Sequence, residues 1–74
     1  MREGRMYYKE ESDRYDIFFT DDCNRYGGLS CGTVFEIYIH GEWLPTRIEY
    51  SARKEDWYLV GVDVDNLKGL VVRI

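Results

Sequence analysis

One histidine, one proline and two cysteines are all that 74 residues offer of these types, and no apolar run approaches the length of a membrane span. Each shortage excludes something. A spanning helix needs about 20 consecutive apolar residues, and the opening MREGRMYY lacks the apolar segment of a secretory signal. The expectation is a soluble cytoplasmic protein with no membrane partner. In a reducing compartment two cysteines stay thiols, and small secreted domains usually carry more than two. Basic residues are also the minority, ten against fourteen acids, and the formal charge of −4 sets the overall field against phosphate backbones.

Helical periodicity is missing as well. Apolar residues alternate with period two nearly everywhere, which predicts an all-β domain spanning 1–74. The expected strands are Arg5 to Lys9 and Tyr15 to Thr20 as a first hairpin, then Thr33 to His40 and Trp43 to Ser51 joined by a Gly41-Glu42 turn. Trp57 to Val62, whose unbroken apolarity suits a strand covered on both sides, and Leu70 to Ile74 follow, with a turn or a single turn of 3₁₀ helix between them. Pro45 lacks an N–H and belongs at an edge or a bulge. Five or six short strands in one small chain bury a single apolar face best by curling, so the expected architecture is a small SH3-like barrel with one long early loop, Asp21 to Gly32.

The two cysteines lie in that loop, DDCNRYGGLSCG, where besides a disulfide two chemistries could use them. A zinc site would have to gather Cys23, Cys31, His40 and Asp21 or Asp22, without the close CxxC spacing of structural sites. A thiol–imidazole dyad of Cys31 and His40 fails on distance, since nine residues of extended strand cover about 30 Å. The acidic pairs Glu10-Glu11, Asp21-Asp22, Glu55-Asp56 and Asp63 with Asp65 fall in turns, where they read as solvated charge and not as a facing catalytic pair. DVDNLKG departs from the calcium-loop pattern. No catalytic residue, metal or cofactor is expected.

What the chain does have is aromatic rings: seven Tyr, three Phe and two Trp. That exceeds what one small core encloses, so Tyr7, Tyr38, Trp43 and one of Trp57 and Tyr58 are expected on outer faces, either as an interface or as covers over the barrel ends. Exposed Tyr, Trp and Arg are enriched at binding hot spots. The expected binding residues are Tyr38, Trp43 and Arg47, with the loop residues Tyr26 and Leu29 alongside, and the expected partner is another protein or a second copy of the chain joining an open sheet edge. Two alternatives stand beside this one. Nucleic acid could be held through Arg5, Tyr7, Lys9, Arg47, Arg53 and Lys54, against the net charge, or the acidic turns could form one patch that mimics nucleic acid.

The segments MYYKEESDRYDI, GGLSCGTVFEI, GEWLPTRIEYS, DWYLVG and LKGLVVRI resemble a family of short bacterial proteins, from Gram-positive genomes and mobile elements, classed as a domain of unknown function, DUF5348. The resemblance covers nearly the whole chain. It implies a compact single domain and carries no activity with it.

Overall fold

The period-two pattern becomes six strands and no helix. The structure, a computed structural model, describes residues 1–74. Its strands are β1 (Glu3–Lys9), β2 (Arg14–Phe19), β3 (Val34–Ile39), β4 (Glu42–Ser51), β5 (Asp56–Leu59) and β6 (Val71–Arg73). All pairings are antiparallel, and the sheet order is β2-β1-β6-β3-β4-β5. The last strand therefore joins the N-terminal hairpin to the central one. The sheet is open: β2 and β5 end it on either side and do not pair. No helix is long and apolar enough to cross a membrane.

Alternation aims one side of each strand at a single hydrophobic cluster. Met6, Tyr15, Ile17, Phe19, Phe35, Ile37, Ile48, Leu59 and Val72 come from the strands, and Leu29 and Leu67 close the cluster from the connections. Gly4 is buried on β1 because nothing larger fits. A Cβ there would lie 2.5 Å from the Phe18 carbonyl oxygen and 2.7 Å from Ile17 Cγ2.

Two local expectations change, and one alternative resolves. Ile39 pairs with Glu42, so the tight turn is His40-Gly41 and not Gly41-Glu42. Both turn residues have positive φ, 50° and 79°, as a two-residue type I′ hairpin requires. The lone histidine is thus an exposed turn residue. The stretch Trp57 to Val62 is not a doubly covered strand. It is the short edge strand β5 followed by a turn at Gly61, φ 79°; its apolar continuity arises because Trp57, Leu59 and, beyond the turn, Val62 all reach the same core. Before β6 the chain makes a turn at Lys68-Gly69 and no 3₁₀ helix. Pro45 lies opposite Glu36, on the part of β4 that β5 does not reach, since β5 pairs only from Ile48 to Ser51. Proline is tolerated on that unpaired margin.

Candidate functional site

On the solvent side of the central hairpin, alternation places Tyr38 on β3 directly across from Trp43 on β4. Their ring centroids are 5.1 Å apart at an interplanar angle of 58°. β6, lying beside β3, brings Arg73 opposite Glu36; the guanidinium donates from Nε to Glu36 Oε1 and sits 4.3 Å from the Trp43 ring centroid. The carboxylate thus holds a cation over an indole face, an electrostatic attraction that also restricts the arginine. Tyr38 remains 45% exposed, and Trp43 is half-buried.

Arg47, expected in this cluster, is not there. It lies across from Val34, about 13 Å along β4 from Trp43, and its Nε donates to Glu49 Oε2 at 2.9 Å. Arg73 occupies the place assigned to it, and only the β3–β6 pairing reveals that.

The two loop residues are elsewhere again. Asn24 to Leu29 runs along the outer edge of β2: the Phe19 N–H donates to the Asn24 carbonyl (2.8 Å), the Tyr26 N–H to Ile17 (2.9 Å) and the Leu29 N–H to Tyr15 (2.8 Å). β2, β1 and β6 separate this segment from β3. Leu29 is 0% exposed and presents no surface to a partner, while Tyr26 is exposed at the far edge of the sheet. The loop therefore covers β2 and does not flank the aromatic pair.

What fastens the loop is Asp16, which sequence reasoning missed. Its carboxylate is 2% exposed. Oδ1 accepts from the backbone N–H groups of Ile17 (2.8 Å), Gly27 (3.0 Å) and Gly28 (2.8 Å), and Oδ2 accepts from the Tyr7 hydroxyl (3.1 Å). Gly27 and Gly28 have φ of 113° and 100°, a backbone that only glycine adopts without strain and that points successive N–H groups at one anion. Burial, together with the bond to this carboxylate, pushes the Tyr7 phenol above its ordinary value. The available signal was an acid inside an apolar run, YDIFF, with a glycine pair eleven residues on.

The remaining candidates stay apart. Cys23 and Cys31 are free, exposed thiols. Asp21 and Asp22 bind Arg2 at 2.9 and 2.7 Å, and the Asn24 N–H, followed by Arg2, holds the Asp22 carboxyl below its usual range. Of the basic and aromatic set, Arg5, Tyr7 and Lys9 share β1, Arg47 is on β4, and Arg53 and Lys54 are in the β4–β5 turn. The structure does not gather these six. The acidic pairs likewise lie at separate places along the chain, Asp56 opening β5 and the others in connections. Strand addition finds little free edge, because the loop covers β2, β5 has four residues, and the β4 margin carries Pro45.

The family model described as Domain of unknown function (DUF5348) matches residues 4–74. The chain belongs to that family. A crystal structure of a protein from Ruminococcus gnavus is similar over 99% of this chain and 100% of that one, with 46% identity and a TM-score of 0.88. No curated protein matches. The resemblance read from MYYKEESDRYDI through LKGLVVRI thus holds over the whole described sheet.

Proposed function

We propose that the protein is a small, non-catalytic binding or regulatory module whose partner is a protein or a second copy of the chain, and that Tyr38, Trp43 and Arg73 form its contact surface. The observation that carries this reading is the stack of Arg73 on Trp43 beside Tyr38, on the solvent side of the sheet and not in its core. Tyr, Trp and Arg are the side chains that dominate binding energy. Here Glu36 already orders the arginine, so less side-chain freedom is lost on contact.

In the same reading the bent sheet is an SH3-like barrel left open at one seam. Support comes from Trp57 on β5, whose Nε1 donates to the Asp13 carbonyl at the β1–β2 turn (3.1 Å) and so links the two ends of the sheet. A cytoplasmic setting accords with two exposed free thiols.

Affinity capture from the native cell with wild type and Trp43→Ala side by side tests the reading. A partner retained by wild type and lost at least about tenfold from Trp43→Ala, with the melting temperature little changed, supports it. Equal retention by both proteins overturns it, as does no specific retention by wild type.

A further inference from the structure

We propose a second site, on the opposite half of the sheet and independent of the aromatic surface: the outer side of the β1–β2 hairpin binds a compact phosphoryl anion between Lys9, Arg14 and Arg25. The first observation is a register that is unfavourable without a ligand. Lys9 and Arg14 are directly opposed across β1 and β2, and like charges in that position repel. The second is that all three cations line one hollow of about 220 Å³. In a chain with four more acids than bases, none of the three forms an ion pair; the salt bridges go to Arg2, Arg47 and Arg73.

Asp16 is the one carboxylate lining this hollow, and its oxygens are already taken by Tyr7, Ile17, Gly27 and Gly28. It organises the floor and leaves the cations free. Two of them are held in place. Arg14 Nη1 donates to the Leu29 carbonyl at 3.4 Å, and the Arg25 guanidinium lies 5.3 Å from the Phe18 ring and 5.8 Å from that of Tyr7. An anion with several acceptor oxygens would receive charge-assisted bonds from three directions and relieve the Lys9–Arg14 repulsion. An adjoining hollow shares Lys9 and Arg25 but is also lined by Glu10 and Glu11. Those carboxylates repel an extended polyanion and leave a small phosphoryl group as the fitting ligand.

Backbone amide NMR at low ionic strength, with inorganic phosphate and phenyl phosphate as probes, tests the site. Saturable shifts at Lys9, Arg14, Arg25, Gly27 and Gly28, with a Kd of about 1 mM or tighter, are expected. Arg14→Gln and Arg25→Gln should each weaken binding at least about fivefold while keeping the wild-type melting temperature, and Arg47→Gln should bind as wild type does. Tighter binding of phenyl phosphate, with added shifts at Tyr7 and Tyr8, would identify a phosphate ester as the ligand; equal binding would identify the free anion. Absence of saturable shifts overturns the proposal. So does equal weakening by Arg47→Gln, which would mark a general charge effect, and so does an oligothymidylate that binds more tightly than phosphate through the same residues.

Discussion

The outer sides of the two hairpins began from the same alternation and ended in opposite states. On β1–β2 the connection after β2 folds back as an extra edge segment. The outward-pointing Asp16 is thereby buried and becomes the anchor of Gly27 and Gly28. On β3–β4 no segment returns, and the outward-pointing Tyr38 and Trp43 keep a face in solvent with Arg73 laid over it. Period two decides which residues share a side; the path of the connections decides whether that side becomes interior. One half of the molecule thus covers part of its outer side with a loop, and the other leaves its aromatic rings in solvent.

The sharpest way to break this contrast is Asp16→Ala. Removing the carboxylate leaves three N–H groups and the Tyr7 hydroxyl without their acceptor, and unmet buried donors cost about 1–3 kcal/mol each before relaxation. We expect a loss of about 3 kcal/mol in urea unfolding, with Asp16→Asn losing less because it keeps an acceptor oxygen. A loss under about 1 kcal/mol would mean that the loop is held by other contacts.

Gly4→Ala should cost about 2 kcal/mol or more, because the new Cβ meets the Phe18 carbonyl, which cannot swing away as a flexible side chain could. Thermal melting reads this directly, and an unchanged Tm would show that β1 can move off β2.

A pH effect follows from Tyr8. Its bond to the Asp13 carboxylate pushes the phenol up to about 12, whereas a tyrosine in the unfolded chain ionises near 10. The folded state keeps its proton over that interval and the unfolded state releases it, so stability is intact below pH 10 and falls as pH rises toward 12. In Tyr8→Phe the fall should be shallower, as measured by denaturant titrations at stepped pH. The smallest effect is expected from Cys23→Ser and Cys31→Ser, both exposed, within about 0.5 kcal/mol of wild type.

Strand faces were legible because burial of one side imposes alternation: Phe35, Ile37 and Ile39 against Glu36 and Tyr38, or Leu70 and Val72 against Val71 and Arg73. Tertiary neighbours were not. Arg73 reaches Trp43 only because β6 inserts beside β3, a fact of strand order that no local pattern encodes. Asp16 lies on the outward side of β2, and only the path of the loop buries it; Leu29 was expected beside the aromatic pair, and the same path buries it against β2 instead. The His40-Gly41 turn was within reach, since a two-residue type I′ turn needs two left-handed residues and histidine tolerates that conformation better than most; the following glutamate does not adopt it.

On the proposed reading, the loop-covered side carries the stability and the aromatic side is free for contact. Urea unfolding of Trp43→Ala beside Asp16→Ala tests it most directly. The expected loss for Trp43→Ala is about 1–2 kcal/mol, from a cation–π contact and a partly buried ring pair, and smaller than that of Asp16→Ala. A loss equal to that of Asp16→Ala, about 3 kcal/mol, would make Trp43 a structural residue and contradict the division.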